Sequence, residues 1–179
     1  MDKDRALRPL RGGGGSIALR RHFAQGDDRH VVNLDEKSKA LIELLQRDGR
    51  SSYAALAKDV GLSEAAVRQR VQRLIDQGVM QIVAVTDPLS TGFLRQAMLG
   101  IKATGDLRAV AEAITGFEEV DYVVICAGRY DLLAEVVCEN DSHLLQLLNE
   151  GLRKVEGVTD IETFVYLRLE KQTYSWGTR

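Results

Sequence analysis

The chain has 179 residues, with 24 Lys or Arg against 26 Asp or Glu, 45% hydrophobic residues, 28% charged residues and two prolines. These proportions exclude a disordered or fibrous chain and allow one or two compact domains, each with its own core. No run approaches the roughly 18 apolar residues of a membrane span, and Met1 to Gly26 lacks the apolar centre of a secretory signal, so a cytoplasmic protein without a membrane partner is expected. Charge is distributed unevenly: Met1 to Asn33 carries +3, Leu34 to Asp87 is balanced, and Pro88 to Arg179 carries −5. Such polarity suggests that the N-terminal part meets a polyanion.

In chain order, residues 1–33 contain Gly12 to Gly15, Ser16 and scattered arginines with no sustained apolar period, and they are expected to form a flexible basic tail. A basic arm on DNA and an extension without function both remain open for it. Three helices follow. Asp35 caps a first helix with Leu41, Ile42, Leu44 and Leu45 on one side. A short second helix places Tyr53, Leu56, Ala57 and Val60 at helical spacing. Gly61-Leu62 turns the chain, Ser63 caps a third helix, and Val67, Val71, Leu74 and Ile75 form its buried stripe until Gly78. Val79 to Val85 reads as a strand that Asp87-Pro88 breaks.

Beyond Pro88 the order is strand, helix, strand, strand, helix, strand. The strands are expected near Ala97 to Ala103, Val120 to Ala127, Leu132 to Cys138 and Ile161 to Leu169. Leu107, Val110, Ala111 and Ile114 mark one helix, and Leu144, Leu148, Leu152 and Val155 the other. This βαββαβ order predicts a ferredoxin-like sheet with both helices on one face. Runs such as Val123-Val124-Ile125 and Val136-Val137-Cys138 lack polar alternation, so both sheet faces are expected to be buried, the second by another copy of the chain. Cys126 and Cys138 fit a reducing compartment and lack histidines in ligand spacing; structural burial is expected, with no metal and no cofactor.

The chemistry concentrates in the second and third helices. Ala57 is small where two helices approach, Gly61 supplies the turn, and Val67 locks the third helix onto the second, as in a helix-turn-helix. With Val67 and Val71 inward, Ala65, Gln69, Gln72 and Arg73 face outward, flanked by Arg68 and Arg70. Arg can pair with guanine and Gln with adenine through two parallel hydrogen bonds, and a small Ala permits close approach to the bases. Arg50 and Ser51, before the second helix, and Ser63 at the start of the third are expected at phosphates.

The segments Leu34 to Arg50, Leu56 to Ser63 and Val67 to Leu74, with Gly128-Arg129-Tyr130-Asp131-Leu132-Leu133 later, closely resemble the Lrp/AsnC, or feast/famine, family of transcriptional regulators. The resemblance runs from Leu34 to Thr173. It implies an α+β chain, with a winged helix-turn-helix over residues 34–87 followed by a ferredoxin-like domain over residues 88–179 for effector binding and oligomerisation. It further implies double-stranded DNA and a small amino acid as partners, and dimers that assemble to an octamer. The family's effector position maps onto Gly128, Arg129, Tyr130 and Asp131, and its late response-shaping segment onto the strand with Phe164 and Tyr166. Overall similarity suggests the branch that controls alanine dehydrogenase. The sequence departs from the family in its long tail and in Gln81-Ile82-Val83, which replaces a glycine-aromatic wing. An α-amino acid needs a carboxylate or carbonyl for its ammonium and N–H groups for its carboxylate; a glycine turn beside Asp131 offers both, although a plain turn-capping aspartate is the alternative.

An enzyme is not expected. His22, His30 and His143 are scattered, no nucleophile elbow is present, and Gly12 to Gly15 lacks the Lys-Ser/Thr of a phosphate loop. The other reading left open is an amino-acid-binding regulatory module with no direct DNA role.

Overall fold

The computed structural model describes Asn33 to Thr178, so the expected tail, all but its last residue, lies outside the described residues. The chain divides into two compact units: the helical head up to Val85 together with Glu170–Thr178, and a sheet domain over Thr86–Leu169.

The head contains α1 (Glu36–Arg47), α2 (Tyr53–Val60) and α3 (Glu64–Asp76). Each begins on a polar cap: the side chains of Asp35, Ser52 and Ser63 accept from the N–H groups of Ser38, Ala55 and Ala66. Those bonds satisfy donors that a helix start leaves open. Gly61 ends α2 at φ +65°, a left-handed turn that a side chain would disfavour. Leu41, Ile42, Leu45, Leu56, Ala57, Val60, Val67, Val71, Leu74 and Met80 form the core. The chain's last described residues return to this unit: the Gly177 N–H donates to Gln46 Oε1 at 3.1 Å and the Thr178 hydroxyl to Glu43 Oε1 at 2.7 Å.

One expectation for the head fails. Val79 to Val85 forms no strand. Met80 turns into the core, while Val83 and Val85 are exposed. β-branched residues fit a sheet surface, yet a strand persists only where a neighbour takes up its backbone groups, and here no ladder forms.

The sheet domain contains β1 (Arg95–Ala103), α4 (Leu107–Thr115), β2 (Val120–Ile125), β3 (Leu132–Cys138), α5 (Asp141–Gln146) and β4 (Val158–Val165). The spatial order β2-β3-β1-β4 is antiparallel throughout, which is the ferredoxin-like arrangement. Two boundaries are shorter than expected: β2 ends at Ile125, and β4 stops at Val165, leaving Leu167 almost fully exposed. α5 is also shorter than its leucine stripe suggested. It opens into a π turn (Leu147–Gly151) and a tight turn (Leu152–Lys154), which fully buries Leu147, a residue off the expected stripe.

The sheet's helix-covered face is made by Ala97, Leu99, Ile101, Leu132, Ala134, Val136 and Ile161, all buried. Strand alternation puts Met98, Leu133, Val137, Val124, Tyr122 and Phe164 on the other face, interleaved with Gln96, Glu135 and Glu162. That face is only partly covered within the chain: Tyr122 is 51% and Phe164 44% exposed. Cys138 is buried on the helix side, where burial first and Glu119 second push its thiol up to about 12; Cys126 is half-buried with Sγ 3.3 Å from the Tyr130 carbonyl. Among the described residues no helix is long and apolar enough to cross a membrane, and no cluster of metal-ligating side chains forms.

Candidate DNA interface and effector site

α3 is amphipathic because Val67, Val71 and Leu74 recur at helical spacing and are buried. That fixes the outward face. Ala65, Arg68, Gln69, Gln72, Arg73 and Asp76 line an open concave surface along it. The hydrogen bonds sort these side chains by commitment. Arg68 pairs with Glu64 at 3.2 Å and lies over the Tyr53 ring at 5.0 Å. The Gln72 amide donates to Asp76 at 2.8 Å. The side chains of Gln69 and Arg73, both exposed, make no hydrogen bond or ion pair among the described residues. A side chain that reads a base must give up no internal bond to do so, which puts these two ahead of Gln72 and Arg68.

Around this face, Ser63 is occupied as the α3 cap, with the Ala66 N–H at 3.2 Å from its hydroxyl. Arg50 is exposed, and its backbone N–H is tied to Asp48 Oδ1 at 2.9 Å, while the Ser51 N–H bonds the Asp48 carbonyl at 3.1 Å. Ser52, which sequence reasoning passed over, holds the first turn of α2. The signal was present: a serine three residues before a backbone N–H of the predicted helix is a cap position. Arg70 turns away from the face to bond Asp35 and Ser38.

In the sheet domain, the loop between β2 and β3 delivers Gly128, Arg129, Tyr130 and Asp131. Asp131 is anchored three times. Its N–H donates to the Ile101 carbonyl at 3.0 Å, its carbonyl accepts from the Cys126 N–H at 3.0 Å, and its Oδ2 accepts from the Ala103 N–H at 2.9 Å. The last bond falls where the β1–β4 register shifts, between Lys102 and Ala103. Oδ1 makes no hydrogen bond among the described residues. A Cβ added at Gly128 would meet nothing within 4 Å, so the backbone there is open to approach.

Tyr130 lies flat on the sheet. A Cβ at Gly100 would come within 2.7 Å of its ring, so the absence of a side chain there is what seats it. The Tyr130 hydroxyl donates to Glu162, the Phe164 ring meets it edge-on at 6.2 Å, and Arg129 sits over it at 5.4 Å while pairing with Glu162 at 3.4 Å. Arg129, Tyr130 and Phe164 are thus brought together, with Glu162 and Gly100 as members that sequence reasoning missed. Glu162 was legible: it stands two residues before Phe164 and four before Tyr166, on one face of a period-two strand. Tyr166 falls apart from this group. Its N–H bonds the Gln96 carbonyl at 2.9 Å, and burial first, then Glu135, pushes its hydroxyl up to about 12; Glu135 also accepts from the Gln96 amide at 2.8 Å.

Family comparison gives this geometry its context. A model of the AsnC-type helix-turn-helix domain matches residues 34–75, and one of the Lrp/AsnC ligand binding domain matches residues 96–176. The chain belongs to the Lrp/AsnC family. The HTH-type transcriptional regulator PH0140 of Pyrococcus horikoshii, itself uncharacterised, is 31% identical over 146 residues, which is 80% of this chain and 92% of that protein. The leucine response regulatory protein LrpA of Mycobacterium tuberculosis superposes with a TM-score of 0.72 at 27% identity, covering 78% of this chain and 96% of that one. The transcriptional regulator NMB0573 of Neisseria meningitidis, solved as a complex with L-Met, superposes at 0.70 and 24% identity, over 80% and 96% of the two chains. As a member of the family, the protein is a transcriptional regulator with a DNA-binding helix-turn-helix and a ligand-binding domain.

Proposed function

We propose that this regulator controls amino-acid metabolism by reading a specific DNA sequence through Gln69 and Arg73 and by taking a small amino acid beside the β2–β3 loop. The observation that carries the DNA half is the pair of uncommitted side chains on an otherwise internally bonded helix face. Arg50 contributes phosphate attraction, which adds affinity without sequence preference.

For the effector, an amino acid's ammonium needs an acceptor and its carboxylate needs donors. Asp131 Oδ1, which makes no hydrogen bond among the described residues, supplies the acceptor, and the open backbone at Gly128 supplies the approach for the carboxylate. The Tyr130–Phe164 pair bounds the site, with Arg129 and Glu162 at its rim. That a structural relative at 27% identity is named a leucine response regulatory protein supports an amino-acid effector.

Two copies of the chain pack through the uncovered sheet face, where Tyr122, Val124 and Phe164 lie, and further association builds a larger ring. A ligand beside such an interface shifts assembly, and a coupling of about 1–3 kcal/mol changes DNA affinity from several-fold to a hundredfold.

A calorimetric screen of the purified protein against small amino acids, alanine first, tests the effector. The expected result is binding by the unmutated protein and loss in Asp131→Ala, with unliganded DNA binding retained. Unchanged ligand affinity in that variant places the pocket elsewhere.

A further inference from the structure

Two arginines flank the outward face of the recognition helix, each drawn towards another helix of the head. About 100° per residue puts Arg68 and Arg70 on opposite sides of Gln69, with Ala65, Gln72 and Arg73 between them. Arg68 is drawn towards α2 by the Tyr53 ring. Arg70 is drawn towards α1: its Nη1 bonds Asp35 Oδ2 at 2.6 Å and the Ser38 hydroxyl at 3.2 Å.

Asp35 occupies an unusual position in this arrangement. One of its oxygens caps α1 by accepting from the Ser38 N–H at 2.8 Å, and the other takes the guanidinium from the middle of α3. Ser38, which completes the contact, is the one buried polar residue among the described residues. The carboxyl is held at about 2 by Ser38 first and Arg70 after it, so at neutral pH it is fully ionised. A charge-assisted contact of this kind constrains direction as well as distance.

We propose that Asp35 is a specificity-determining positioning residue: by holding Arg70 against the first helix it fixes the roll of the recognition helix about its axis and keeps Arg70 off the DNA phosphates. Two consequences follow from one bond. The roll decides whether Gln69 and Arg73 meet base edges squarely, and a shift of about 20° would move a side-chain tip by more than a hydrogen bond tolerates. Withholding Arg70 lowers attraction to DNA of any sequence, and that attraction competes with specific binding. The proposal rests on the reading of α3 as the sequence reader.

Asp35→Asn separates the two roles of this residue, because Asn caps a helix as well as Asp does but does not hold a guanidinium by charge. The probes are a duplex selected from a random-sequence library by the unmutated full chain, and a scrambled duplex of the same length. In Asp35→Asn the ratio of selected to scrambled affinity should fall about fivefold or more. Its melting temperature at neutral pH should fall by no more than an exposed ion pair contributes, and the salt dependence of scrambled binding should steepen by about one phosphate contact as Arg70 is released. Arg70→Gln should lose the same selectivity without the steeper salt dependence, and the double variant should be no worse than either single one. Unchanged selectivity in Asp35→Asn overturns the assignment. So does an equal loss on both duplexes that tracks a lowered melting temperature, which would make the contact structural only. A library selection that returns no preferred duplex overturns instead the DNA-reading role of α3.

Discussion

The two units solve opposite problems. In the head, ten buried residues close the core around three short helices, and each capping side chain bonds its own helix, Asp35 holding Arg70 of α3 as well, so Gln69 and Arg73 are left exposed and uncommitted on α3. In the sheet domain, one face is sealed by α4 and α5 while the other presents aromatic and aliphatic side chains with paired polar groups set among them. A head with a complete core can act as a unit on DNA. A sheet with a half-covered face is complete only when something lies on it.

The sharpest way to break that contrast is a pair of substitutions on the same sheet. Val136 is fully buried on the helix side, so Val136→Asp places an unpaired carboxylate in the core and should unfold the sheet domain, a loss of several kcal/mol visible as a missing melting transition. Val124 pairs with Leu133 on the open face, so Val124→Asp should leave the fold intact and abolish self-association in light scattering. If Val124→Asp assembles as the unmutated protein does, the open face is not the interface.

Smaller effects separate base reading from charge. Arg73→Ala should cost about 1–3 kcal/mol on the preferred duplex and little on a scrambled one, whereas Arg50→Ala should weaken both alike in a titration at fixed salt. Equal losses for the two variants would remove the distinction drawn between committed and uncommitted side chains.

Gly100→Ala tests how the cluster proposed for the effector is built. The added methyl would meet the Tyr130 ring, so the ring must leave Gly100 and with it the Glu162 carboxylate. The expected outcome is weakened amino-acid binding by calorimetry with DNA affinity in the absence of ligand unchanged. Retained ligand affinity would show that Tyr130 does not bound the pocket.

The smallest expected effect is in acid. Asp35 ionises at about 2 in the folded chain instead of 3.8, so the folded state binds the proton less well than the unfolded one. Its contribution to stability is present above about pH 4 and is lost as the pH falls through 2. Asp35→Asn should remove that part of the acid dependence of the head's melting temperature, and an unaltered acid limb would show that the contact contributes nothing to stability.

Much of this architecture can be read from local chemistry. Helix starts at Asp35 and Ser63, the Gly61 turn, the inward stripe of α3 and the βαββαβ order all follow from residue type at short spacing, because caps, turns and periodicity are decided within a few residues. The same locality explains what went astray. Val79 to Val85 has the composition of a strand, but pairing needs a neighbour brought from elsewhere, and none of the described residues supplies one there. The leucines of α5 read as one regular stripe until the packing of Leu147 opens a wider turn.

At the proposed sites, the sequence by itself determined which side chains face outward on α3 and that a glycine, an aromatic and an aspartate share the Gly128 to Asp131 loop. Only the tertiary structure decided which of them are already engaged. Arg70 and Arg73 are three residues apart on one helix, yet the Arg70 side chain is bound to Asp35, 35 positions away, and the Arg73 side chain to nothing among the described residues. Asp131 offers one oxygen because the other meets an N–H of β1, and Tyr130 lies where it does because Gly100 on that same strand leaves the space. Commitment of a side chain is a contact between distant segments, and the register of a sheet and the crossing of helices create those contacts where no short-range pattern records them.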